Sequence, residues 1–572
     1  MYFPQLSTPR QSRVTVSRFL GLDRRPRGQE GSFREMENLC ADGYPTLTVR
    51  RPRGVAGSAV SPGGLTVKEG LIWVDGHTLY INGSAAGLAL SEGRKQLISM
   101  GAWLLIWPDK AYINTKDLTD FGSLENKRVT EGEVSFALCR PDGTVYSGYL
   151  AADEAPEEPE AGSLWLDTGG DETALRQYGE DGWTAVDDVC VRMNAAGIGI
   201  GFTAGDGVAV SGCRETALNG SFPLRSVEDD YVVVTALPRS LSSQSDPVTV
   251  ERSVPDMDYV VESGNRLWGC KYGIVNGQAV NAIYASKLGD FKNWNCYAGL
   301  STDSYAASRG SDGAFTGAAD YLGNPLFFKE NCMERVYPSA SGAHQIVTVQ
   351  CAGVKSGSSG SLRVVDGKLY YHSQGGVCVF DGSMPVHVSQ ALGEMRYHNA
   401  VAGALDGSYY LSAADENGAW HLLVLDTRQG LWYREDGVEA VGFAPWGGDL
   451  YCLTAAGRLL AMKGSGENRE GPVQWLAETG ELGLDAPESR YLVRLSLRLL
   501  PEADSTVRAW VSYDEGGSWQ PAGSLCGAGR LRACTMHVRP RRCRQLRLRL
   551  TGQGGCRIYS LSAVYEKGSD GP

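Results

Sequence analysis

The chain has 572 residues, more than one hydrophobic core organises, so two to four domains are expected. Hydrophobic residues at 42% and charged residues at 21% exclude wholesale disorder, and 73 glycines, 26 tyrosines and 13 tryptophans favour short strands and tight turns over helical bundles. The net charge of −12 is unevenly spread: residues 1–53 carry ten Arg against five acids and residues 490–550 twelve Arg against four, leaving a strongly acidic middle that makes a poor general nucleic-acid binder.

Residues 1–54 read as an N-terminal arm. Alternation at Val14 and Val16 fits one edge strand, placed at 12–17 and expected to complete the last blade of a repeat. Ser32 with Glu35 three residues on reads as a capping box opening a short helical turn, and Gly43, Tyr44 and Pro45 as a turn. From residue 55 the pattern becomes strand, turn, strand. Asp75–Gly76 is flanked by Leu71, Trp73, Leu79 and Ile81, and Pro108–Asp109 repeats the theme. The same grammar returns after 250, with turns at Asn276–Gly277, Asp366–Gly367 and Asp381–Gly382. The units recur at roughly 35–45 residues, the spacing of four-stranded propeller blades. About seven are expected, two before 135 and five between 256 and 465. The expected fold class is therefore all-β: a β-propeller split into 55–137 and 251–465 by an inserted small β domain at 138–250.

The insertion opens with an acidic, Pro-rich linker, DEAPEEPEAG at 153–162, followed by a hairpin module that carries Trp165, Tyr178 and Trp183. Turns at Gly205–Asp206 and Asn219–Gly220 then divide alternating runs into a compact barrel or sandwich. After a Gly-rich boundary at 464–480, the run YLVRLSLRLL at 491–500 opens a C-terminal β-sandwich at 478–567. Arg494, Arg498, Arg544, Arg547 and Arg549 are spaced to gather on one outer sheet face. With Arg50, Arg51 and Arg53 of the arm they are the candidate interaction residues, since Arg serves planar pairing and stacking at interfaces.

Catalytic and metal motifs are weak. The fourteen Cys contain no CxxC and the seven His no HxH or HExxH, so buried free thiols, no metal and no cofactor are expected. No Ser has Gly at both −2 and +2. GIGIGFTAG at 197–205 lacks a phosphate-loop Lys and reads as a small-residue strand and turn. Asp256, Asp258 and Asp303 fit turn capping better than a Ca²⁺ loop. SYDEGGSW at 512–519 satisfies an Asp-box pattern resembling that of sialidase propellers, where the motif is a structural hairpin turn. No arginine triad or Tyr–Glu pair can be placed beside it. The chain is therefore read as no enzyme. Exposed aromatics are the candidate glycan contacts: Trp165, Tyr178 and Trp183, and also Trp268 and Trp294, against the alternative that Trp at blade ends packs the core. The N-terminus lacks the apolar stretch of a secretory signal, and no run of ~18 apolar residues spans a membrane.

Three segments together resemble bacteriophage tail nozzle and neck-type propeller proteins. They are the arm with Tyr44, Pro45, Arg50, Arg51, Pro52 and Arg53; NRLWG through AIYASKLGDFKNW at 265–294; and LRVVDGKLYYHSQGGVCVFDGSMP at 362–385. The stretch PEEPEAGSLWLDTGG also looks like hairpin modules of phage tail fibres. The resemblance implies a virion structural protein of the tail, assembled in the bacterial cytoplasm. Such proteins form a homo-oligomeric ring, commonly of six copies, against an adaptor or portal-proximal protein, and genomic DNA passes along its axis. An acidic lumen would let DNA slide without sticking, and the Arg-rich ends would pair with neighbouring carboxylates. The alternatives are a tail-associated glycan-binding or glycan-cleaving propeller and an extracellular propeller binding module encoded by a host.

Overall fold

The computed structural model describes residues 11–567 apart from 171, 298, 467, 483–489, 514–517, 528, 539–540 and 544. It is all-β. Helix is limited, among these residues, to three single 3-10 turns. Seven four-stranded sheets of propeller type follow the predicted order. We number them blades 1 to 7: 62–89, 96–123, 259–308, 317–350, 363–387, 397–435, and 440–461 with 54–58.

The predicted turns are present. Gly76 and His77 join Leu71–Asp75 to Thr78–Ile81, one residue beyond the predicted Asp75–Gly76, and Pro108–Asp109 lies between Trp103–Trp107 and Ala111–Asn114. At Asn276–Gly277 both residues have positive φ, 50° and 80°, as a two-residue hairpin turn matched to the strand twist requires.

The chain forms two compact units. The first comprises 1–95, 328–333 and 349–572. In it the first strands of blades 1, 7, 6 and 5 pack side by side in that order. Blade 7 draws three strands from 440–461, and Gly54–Ser58 completes it, with Ala461 opposite Gly54 and Arg458 opposite Ser58. The strand expected to do this, near 12–17, instead pairs with the C-terminal strand, Gln11 opposite Glu566 through Val16 opposite Leu561. Gly54–Ser58, directly continuous with blade 1, takes the outer edge of blade 7, while the first strand covers an edge of the C-terminal strand.

The predicted arm is therefore no free arm. Phe33–Glu37 pairs with Gln474–Thr479, and Leu47–Val49 with Cys556–Lys567. The sandwich is built from both ends of the chain, its two sheets ordered around Arg490–Pro501 and Leu546–Gln553. Leu495, Leu497, Val507, Leu548 and Ile558 meet Phe33, Met36, Leu39 and Leu47 in one core. The expected helical turn at Ser32 is absent. Ser32 Oγ donates to the Gln29 carbonyl at 2.6 Å, and the next residues extend because Phe33 and Met36 are drawn into that core.

The second unit comprises 96–327 and 334–348. It holds blades 2 and 3 and a seven-stranded insertion sheet that starts earlier than position 138. Asn126–Val129 pairs with Thr249–Arg252, so the insertion runs from 126 to 252. Val191, Met193, Val208, Val232 and Val250 fill its core. Residues 197–206 are successive turns and not the strand expected, with Gly197 N–H donating to Asp230 at 2.8 Å. Asp206 is buried against Arg252, whose Nε also donates to the Leu124 carbonyl at 3.0 Å. A separate four-stranded sheet forms the module, Tyr149–Ala152, Leu164–Asp167, Ala174–Gly179 and Gly182–Ala185, the first pair parallel, and Leu166 and Leu175 join it to the same core.

Candidate functional site

The arginines singled out by sequence divide into three groups. Arg50 and Arg53 are buried, each 5% exposed. Arg50 Nη2 lies 2.6 Å from Asp436 Oδ2, its Nε donates to Asn38 Oδ1 at 2.7 Å, and Nη1 pairs with Glu470. Arg53 Nη2 lies 2.9 Å from Glu435 Oε2. Burial works against the charged form of Asp436, yet the Asn38 amide and the Arg50 guanidinium together hold its carboxyl below the usual range. These two arginines are neutralised inside the chain, so the expected outward patch keeps only the exposed Arg51 from this segment.

A second group is partly neutralised. Arg549 Nε and Nη2 donate to Glu478 Oε2 at 2.9 and 2.7 Å, and Arg547 Nη1 donates to Oε1 at 3.2 Å. Both guanidiniums cover Trp519, at 4.0 Å for Arg549 and 5.3 Å for Arg547. The third group, Arg494 and Arg498, is exposed on the outer face of Arg490–Pro501, and neither has an acidic partner among the described residues. Register places Arg13 in the row of Arg494, across Val564, so three arginines share this face around the hydroxyls of Thr15, Ser562, Ser496 and Thr535. Arg544 and residues 514–517 of the Asp-box pattern lie outside the described residues.

The module aromatics also divide. Trp165 is 7% exposed and donates its indole N–H to the Ala152 carbonyl at 2.9 Å, which makes it core and corrects its reading as a glycan contact. Tyr178 and Trp183 stand opposite each other on neighbouring strands and are half-buried. Their rings meet edge to face at 5.3 Å, and Trp183 meets Trp165 the same way at 5.4 Å. The result is a rigid aromatic step with solvent on one side. Trp268 and Trp294, also offered by the sequence as glycan contacts, are buried in blade cores, which corrects that reading.

All fourteen cysteines are free, and most are buried. Among the described residues no three His, Cys, Asp or Glu side chains converge as a metal site. No described helix is long and apolar enough to cross a membrane.

No protein-family model matches the chain, and no curated protein does. Similar solved structures include the phage phi92 endosialidase (9% identity, 73% of this chain and 67% of that one, TM-score 0.24). Others are an exo-β-1,3-galactanase from Phanerochaete chrysosporium (8%, 53% and 94%, 0.21) and BamB from Moraxella catarrhalis (10%, 66% and 95%, 0.23). At such identities and scores they carry no argument about activity. Several of these neighbours are nevertheless glycoside hydrolases or sialidases, against the expectation of a chain without enzymatic activity, and that expectation is withdrawn.

Proposed function

We propose that this chain is a component of a bacteriophage tail, a β-propeller protein whose inserted module contacts glycan. The observation that carries the reading is the Tyr178–Trp183 step. Two half-exposed rings, locked edge to face and backed by Trp165, offer apolar faces to the C–H side of a sugar ring at little conformational cost. The tail assignment is supported by the resemblance of the arm and of the 265–294 and 362–385 segments to nozzle and neck-type proteins. Two assays test the reading on the full chain: an array of bacterial cell-wall and capsular glycans, and release of reducing sugar from the same polymers. Binding lost in Trp183→Ala supports it. Absence of binding and of release across the panel overturns the glycan role.

A second reading, a ring subunit at the DNA passage of the tail, is favoured by the exposed Arg494 and Arg498, which have no acidic partner among the described residues. On that reading the basic face meets carboxylates of an adjacent subunit or adaptor, and the acidic remainder of the chain repels DNA in transit. A protein that sediments as a monomer at low salt, alone and with its adaptor, overturns it.

A further inference from the structure

The first unit contains a cavity of about 300 Å³ where blade 5 turns toward blade 6, at the low end of the range for small-molecule sites. Two imidazoles, His372 and His387, line it. Each is tethered through Nδ1: Ser358 Oγ lies 3.2 Å from that atom of His372, and Cys378 Sγ 3.3 Å from that of His387. The tethers fix the ring planes and leave each Nε2 available to a ligand. Gln374 and Gln390 also line the cavity. Gln390 Nε2 is engaged by the His387 carbonyl at 2.7 Å, which leaves its amide oxygen as an acceptor.

The hairpin beneath is shaped for these groups. A Cβ on Gly375 would stand 2.7 Å from the His387 ring, and one on Gly376 would stand 2.2 Å from Ser389 Oγ. The pair Gly375–Gly376 is thus what lets His387 and Ser389 close over the strand ends. Besides its two imidazoles the lining carries one acid and one base, Glu394 and Arg396, whose charges cancel. Burial, with Lys355 and His398 nearby, keeps His372 neutral down to about pH 4.

The geometry points to a binding site for one uncharged, polyhydroxylated ring, a single sugar unit, held between the Nε2 atoms of His372 and His387 and the side chains of Gln374 and Gln390. An ion is disfavoured because nothing in the lining supplies excess charge. A flat aromatic ligand is disfavoured because fixed polar atoms would lose their water without replacement. The choice of a sugar rests on the glycan reading above, but the site is distinct from the Tyr178–Trp183 step.

Isothermal titration calorimetry of the full chain with glucose, galactose, mannose, rhamnose and N-acetylglucosamine tests it. At least one sugar should bind, with affinity reduced tenfold or more in His387→Ala and in Gln374→Ala. Both altered side chains are exposed, so the variants should keep the parent melting temperature. The site is overturned if no monosaccharide binds, or if both variants bind with parent affinity. Array binding that depends on Trp183 without monosaccharide binding overturns the cavity alone. No binding in either assay overturns both readings.

Discussion

Arg50 and Asp436 are joined by a 2.6 Å ion pair across 386 positions of sequence. The contact fastens the segment between the first sandwich strands and blade 7's outer strand to the connection that leaves blade 6. Asn38, Glu470, Glu435 and Arg53 complete the network around it. Only Arg50 is buried; the Asp436 side chain keeps 43% of its surface exposed, so losing Arg50 leaves a carboxylate that water partly screens.

Arg50→Ala should therefore destabilise the first unit by about 1–3 kcal/mol, whereas Arg51→Ala, on the exposed neighbour, should stay within about 0.5 kcal/mol. Urea unfolding followed by Trp fluorescence, together with limited proteolysis after 435, checks both. An Arg50→Ala protein as resistant as the parent would show that the network contributes no net stability.

Acid should weaken the first unit through His372. Its folded value of about 4 lies below the 6.5 of the unbound imidazole, chiefly because burial disfavours the charged ring. Between those two values the unfolded chain holds a proton that the folded chain lacks, so stability falls as pH drops from 6.5 to 4. The difference amounts to about 3 kcal/mol for this group alone. Thermal melts of parent and His372→Gln across pH 4–7 should show a shallower acid loss in the variant. Parallel curves would assign the loss to other groups.

The module separates stability from recognition. Trp165→Ala removes a buried indole and should cost about 3–5 kcal/mol. Trp183→Ala and Tyr178→Ala, at half-exposed positions, should leave the melting temperature within a few degrees while abolishing array binding. Equal loss of stability in all three would make the aromatic step purely structural.

Much of the fold is local and so was legible in sequence. Asp–Gly and Asn–Gly pairs fix two-residue turns by their positive φ, and alternation assigns the strands around them, which is why the number and order of blades could be read. What sequence concealed is non-local. Nothing in Val14 or Phe33 says that their partners lie beyond residue 470, and nothing in Arg50 or Arg53 distinguishes a solvated basic run from charges matched by Glu435, Asp436 and Glu470. The cavity was hidden for the same reason, since His372 and His387 are dispersed in sequence and fit no ligand spacing. The signal that could have found it is the glycine pair in SQGG, a hairpin stripped of side chains beside two imidazoles.

The basic face of the sandwich yields a charge-specific expectation. Arg494 and Arg498 stand on one strand face with Arg13 in the adjoining row, and no described acid pairs with either strand arginine. Exposed charges of this kind contribute little to folding, so Arg494→Glu with Arg498→Glu should leave the melt nearly unchanged. Any association through this face should respond strongly, because two reversed charges turn attraction for a neighbouring carboxylate into repulsion. Sedimentation velocity between 50 and 500 mM NaCl should show the parent's association weakening with salt, as a Debye length shrinking below ~10 Å requires, and the double variant dissociated throughout. Association that survives both salt and charge reversal would place the contact on another surface and leave these arginines to solvation alone.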